Sequence, residues 1–196
     1  MKKFVFAALA ASTALIAVPA SAQQSVSGDI TITGSVGEKC LVVTGGAPSG
    51  TSFSGTIALG ELSDATGKLR SDVEATFDTA AAALAIQVVC TTSNPQVSVD
   101  ANAITAATAT AVTGYDNSID YQANVTFSLA PSGSKLVSND SASAAATTDA
   151  LGGRLASGAT NITIDGANFR TGSATDLLVA DPTYTGHILI TVAPSA

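Results

Sequence analysis

The chain reads as an all-β sandwich, and three observations predict it. Apolar residues recur at every second position through most of the sequence. These alternating runs are short and are separated by Gly, Pro, Asn and Ser. Six such runs can be marked out, from "GDITITGSV" to "YTGHILITV".

Before the first strand comes a leader. Lys2 and Lys3 precede the apolar run Phe4–Val18, and Ala20-Ser21-Ala22 supplies the small residues of a cleavage site. The run is short for a membrane span. Residues 1–22 are therefore expected to be an export signal, and the mature chain to begin at Gln23. Its 174 residues, 196 less 22, suit one domain with a full core. No linker divides them.

The mature part opens on "QQSVSGDITITGSVGEKC", where Val26, Gly28, Ile30 and Ile32 alternate with Ser27, Asp29 and Thr31. Gly28–Val36 reads as a strand, and Ser35–Val43 around Cys40 as another. "LAIQVVC" places Leu84, Ile86 and Val88 on one face, and "QVSVD" pairs Val97 with Val99. "DYQANVTFSLAP" aligns Tyr121, Ala123, Val125, Phe127 and Leu129. "NITIDG" adds Ile162 and Ile164, and "YTGHILITV" aligns Tyr184, Gly186, Ile188, Ile190 and Val192.

Other stretches read differently. "DTAAAALA" favours a short helical turn. "NAITAATATAV" and "SASAAATTDALGG" read as surface connections, and "TGGAPSG" as a turn between strands.

Composition narrows the function. The mature chain holds six basic against fifteen acidic residues, a net charge of −9. That argues against nucleic acid and anionic lipid as partners. An even cysteine count in an exported chain implies one disulfide, Cys40–Cys90.

Catalytic and metal-binding patterns are scarce, so neither an enzyme nor a cofactor is expected. His187, the only histidine, is out of phase with the apolar row around it and reads as solvated. Asp64, Asp72, Glu74 and Asp78 lack calcium-loop spacing and read as a solvated acidic loop. The triplets starting at Asn124, Asn139 and Asn161 fit the glycosylation pattern but arise easily in a chain rich in Ser and Thr.

Four stretches in this order, "ITGSVGEKCLV", "FSGTIALGEL", "LAIQVVCTTSNPQVSVD" and "PTYTGHILITV", resemble the chaperone–usher pilins of the archaic class, with their spore-coat-U-like domain. The resemblance covers both ends of the mature chain and little of residues 101–181. Pilins of this family commonly end on an aromatic residue, where this chain has Ala-Pro-Ser-Ala.

The resemblance implies an incomplete immunoglobulin-like sandwich, residues 35–196, with an N-terminal donor-strand extension, residues 23–34. It implies that Val26, Gly28, Ile30 and Ile32 enter a neighbouring subunit, and that Ile188, Ile190 and Val192 edge the groove that receives them and contact a chaperone. The partners implied are identical or related pilin subunits, a periplasmic chaperone and an outer-membrane usher. The location implied is a cell-surface fimbrium serving adhesion or biofilm, with this chain as a shaft subunit. The competing expectation is a self-complete secreted sandwich that binds carbohydrate or protein through loops such as 117–120 or 152–160.

Overall fold

A computed structural model describes Ile30–Ser195. It divides into two units at Ser35/Val36. Of the first unit, Ile30–Ser35 joins no strand, and Ile30 and Ile32 are 86 % and 92 % exposed. The strand expected over Gly28–Val36 is therefore not formed from Ile30 onward: a ribbon with no neighbouring edge has no ladder to join. Val26 and Gly28 lie outside the described residues.

The second unit is a sandwich-like stack of mainly antiparallel sheets, with one short parallel pair and, among the described residues, one helix. The strands are β1 (Cys40–Thr44), β2 (Ala47–Gly50), β3 (Val88–Cys90), β4 (Gln96–Ala106), β5 (Tyr115–Asp116) and β6 (Ser118–Ala130). They continue as β7 (Ser134–Asp140), β8 (Thr147–Ala150), β9 (Arg154–Leu155), β10 (Ile162–Arg170), β11 (Leu177–Leu178) and β12 (Tyr184–Ala193). Helix α1 (Val73–Ala81) lies between β2 and β3.

The long strand β6 organises the body. β10 and β7 flank it, and β4 pairs with its first residues through Ile104 opposite Ile119. β4 in turn carries β12 along one edge and β8 on the other. The inward rows are those the alternation predicts. Val97, Val99, Tyr121, Ala123, Val125, Phe127 and Ile162 are buried at 2 % exposure or less, and the intervening residues face outward.

β1 and β2 form a hairpin with Thr44 opposite Ala47. The two residues between them, Gly45 and Gly46, both have positive φ, 62° and 83°. A two-residue hairpin loop of that twist favours glycine. β1 also pairs with β3, setting Cys40 directly opposite Cys90, and the two are joined by a disulfide.

Several element boundaries differ from expectation. β1 begins at Cys40, not Ser35. The helix starts at Val73, five residues ahead of the Asp78–Ala85 stretch, and ends at Ala81 inside it. Val73, Phe77 and Ala81 recur every fourth residue and form its buried face, which a reading of alanine content alone misses. Residues 102–106, expected in a connection, extend β4, with Ile104 in the core. Thr147–Ala150, also expected in a connection, is β8.

Candidate functional site: a groove between two unpaired edges

β12 pairs with β4 on one side. Its other edge has no backbone partner among the described residues. The segment 52–61, opposite it, is the counterpart. Its apolar residues alternate as strand residues do: Phe53, Ile57 and Leu59 are half-buried and pack on the core. Yet no backbone hydrogen bond joins this segment to another backbone group among the described residues. Edges left in this state invite pairing.

Between them runs a groove of about 1340 Å³. One wall is Phe53–Ser63; the other runs from Leu178 through His187, with Ile188 and Ile190. The floor is apolar, formed by Phe77, Leu84, Ile86, Ile104, Tyr121 and Ile164. Two glycines bring the backbone close to that floor. A β-carbon on Gly55 would lie 2.7 Å from Leu84 Cδ2, and one on Gly186 2.9 Å from both Asn102 O and Ile104 Cγ1. Gly186 sits where the β12–β4 register slips, between Thr185 and His187, as expected where a strand bends at a bulge.

Tyr121 supplies the floor's polar atom. Its ring stacks on Phe169 at 5.3 Å and tilts against Phe77 at 6.0 Å. Its hydroxyl points to His187 O at 3.4 Å. Burial pushes this phenol up to about 12, so it stays a neutral donor at physiological pH.

The far end of the groove, where β12 begins, is braced by Asp181. One carboxylate oxygen accepts from Thr108 N, Thr108 Oγ1 and Ala109 N at 2.9, 2.7 and 2.8 Å, and the other from Thr183 N at 2.9 Å. These bonds, led by the Thr108 hydroxyl, hold the carboxyl well below the usual aspartate range. At the near end, where β12 finishes, Ser195 Oγ meets Thr92 Oγ1 at 3.0 Å. Beside it Lys39 N donates to Thr91 Oγ1 at 2.8 Å and Thr91 N to Lys39 O at 2.8 Å. Lys39, close to the start of the second unit, is thus fixed at the near end.

Of the residues assigned to the groove's edge, Ile188 and Ile190 line it. Val192 continues the same half-buried row and packs on the core beyond the cavity. The opposite wall was not among the residues assigned from sequence, although the alternation of Phe53, Ile57 and Leu59 is visible in "FSGTIALGEL". The floor residues Tyr121 and Ile104 carry no local mark of their role.

Other candidates take simpler places. His187 is exposed. The acidic set is not one loop. Asp64 caps a turn through Thr66 and Lys68, while Asp72 and Glu74 open α1. Asp78 and Glu74 accept from Gly166 N and Asn168 N and dock the helix on β10. No group of three or more His, Cys, Asp or Glu among the described residues is placed to hold a metal ion. Asn139 and Asn161 are buried and hydrogen-bonded inside the fold. Of the recognition loops considered, Ser118–Asp120 belongs to β6, and Arg154–Leu155 within 152–160 is β9.

No helix among the described residues is long and apolar enough to cross a membrane. Comparison with models of known protein families, with curated proteins and with solved structures returned no match.

Proposed function

We propose that this chain is the structural subunit of a surface fibre, assembled when the N-terminal extension of one copy enters the groove of the next. The observation that carries this reading is the groove itself, apolar on its floor and bounded by two edges of unpaired backbone. An inserted strand pairs with both edges while its alternate side chains fill the space between them. In this reading the body is an immunoglobulin-like sandwich short of one strand.

The extension has the matching chemistry. Val26, Ile30 and Ile32 alternate with polar residues, and Gly28 keeps one position of the apolar row bare. Burying three such side chains is worth roughly 5–9 kcal/mol at about 1.5–3 kcal/mol each, before ordering costs. Ile30 and Ile32, more than four-fifths exposed, have that burial still to gain.

Chain reach opposes antiparallel self-closure. The extension leaves the body at the near end of the groove. β12 has ten residues, a length of roughly 33 Å. To run antiparallel to its own β12, the extension would have to return from the far end through Thr33–Lys39, which span only about 23 Å. A neighbour's groove carries no such restriction.

The resemblance to archaic chaperone–usher pilins adds the expected route: export, transient covering of the groove by a periplasmic chaperone, and passage through an outer-membrane usher to a fimbrium serving adhesion or biofilm. No catalytic step and no cofactor enters this function.

The test uses the processed chain lacking residues 23–33, with and without a peptide of those residues. The shortened chain is expected to fold and remain monomeric, and the peptide to bind it and raise its Tm. Fibres that form without the extension, seen by electron microscopy, would remove the proposal.

A further inference from the structure

We infer that successive copies also touch end to end, the exit end of one body around Val36 resting on the far-end tip of the next around Val112 and Tyr115. This inference rests on the fibre reading and adds a second interface to it.

Insertion has two polarities with different consequences. An extension parallel to the receiving β12 brings two near ends together. Each copy can then serve the other, and the pair closes as a two-fold dimer that stops growing. An antiparallel extension brings the near end of one copy to the far end of the next. Each added copy then leaves one groove and one extension free, which is a heterologous, open-ended arrangement. A fibre therefore requires antiparallel insertion and sets unlike ends face to face.

The connection between the bodies is short. Between Ile32 and Val36 lie only Thr33, Gly34 and Ser35, so the two stand at most about 13 Å apart. Val36 is thus held close to the tip of the receiving copy.

Both ends carry apolar surface unused within the body. Val36 is 83 % exposed, Val112 60 % and Tyr115 44 %. Val112 and Tyr115 face each other across a bridge, with Tyr115 N donating to Val112 O at 2.8 Å. Their loop is continuous with the groove wall, since β5 pairs with β11 and Leu178 of β11 lines the groove. Asp181 clamps the same loop through Thr108 and Ala109, so the tip presents a fixed surface. Charge agrees in sign: Lys39 and Arg154 adjoin Thr91 at the exit end, and Asp116, Asp176 and Asp181 surround the tip; Glu38 and Lys68 run against this, while Asp149 at the exit end is paired with Lys135 and Arg170 near the tip with Asp140.

The test is cross-linking in assembled fibres. In a Val36→Cys/Val112→Cys double variant, mild oxidation is expected to yield a ladder of covalent oligomers on a non-reducing gel, and each single variant none. Both positions are exposed, and binding of the residue 23–33 peptide to extension-less versions of these variants reports that the groove is intact. Fibres that assemble without yielding the ladder overturn the end-to-end contact. So do cross-linked dimers from Val36→Cys alone, which mark exit-to-exit pairing. Failure of the peptide to bind the unmodified groove would instead sink the fibre reading, and this inference with it. As a second readout, Val112→Asp fibres are expected to dissociate in guanidinium about tenfold faster at unchanged peptide affinity, and an unchanged rate counts against the contact.

Discussion

The side-chain amide of Asn161 pairs with both backbone groups of Val88. Its Oδ1 accepts from Val88 N at 2.9 Å, and its Nδ2 donates to Val88 O at 2.6 Å and to Ala156 O at 2.6 Å. The carboxamide stands in for a rung of sheet between β3 and β10, where the chains meet in a single bridge, Ile86 to Ile162. Asn161 is fully buried, so removing its amide strands several polar groups at once. Asn161→Ala is expected to lower stability by about 2–4 kcal/mol, since each orphaned buried group costs about 1–3 kcal/mol. Urea unfolding would show a lower midpoint at an unchanged m-value.

Gly186 marks a close backbone approach in the β12 wall of the groove. Gly186→Val would force side-chain atoms against Asn102 O and Ile104. Overpacking of this kind typically costs about 1–3 kcal/mol, and here it also disturbs the bulge that shapes β12. The expected result is a lower Tm together with weaker binding of the residue 23–33 peptide, measured by calorimetry. Unchanged binding would show that the occupant does not contact this part of the wall.

Ile30 separates assembly from folding. Its side chain lies in water, so Ile30→Asp is expected to leave the Tm of the isolated subunit unchanged. The same change places a charge in an apolar groove during assembly, where an unpaired charge is strongly disfavoured. Fibre yield is expected to fall at least tenfold. Ile190→Asp is expected to impair assembly from the opposite side, with some loss of stability because Ile190 also packs on the core.

Asp181 gives the tip a pH dependence. Its carboxyl is held below the ordinary range by the Thr108 hydroxyl and by the Thr183, Ala109 and Thr108 N–H groups. With its folded pKa depressed, its contribution is complete above the ordinary aspartate value near 4 and is lost as pH falls toward the folded value. Thermal unfolding between pH 5 and pH 2 is expected to show a steeper decline in the natural chain than in Asp181→Asn.

The disulfide closes a loop with a sequence separation of 50 residues. In the chain-entropy model this corresponds to about 4 kcal/mol. Reduction, or a Cys40→Ser/Cys90→Ser double change, is expected to lower the urea midpoint by a corresponding amount. The hairpin of β1 and β2 hangs from this junction and is expected to show the earliest loss of hydrogen-exchange protection.

The sequence by itself determined the class of structure and most of its inward rows. The alternation in β6, β10 and β12 is a local property: successive side chains point to opposite faces, so a buried row shows as every second letter. Thus Tyr121 through Phe127, Ile162 with Ile164, and Ile188 through Val192 were legible before any pairing was known. Helix α1 was harder to place because its buried face, Val73, Phe77 and Ala81, is marked by a period of four within an alanine-rich stretch. Only the tertiary structure decided which edges go unpaired. The row of Phe53, Ile57 and Leu59 has the alternation of a strand whether or not a ladder forms beside it, and Ile30 and Ile32 look the same in water as in a sheet. Partnership is a relation between segments far apart in the chain, set by how β4 and β6 fill the sandwich and leave β12 with one free side. Alternation within a single segment carries no record of it.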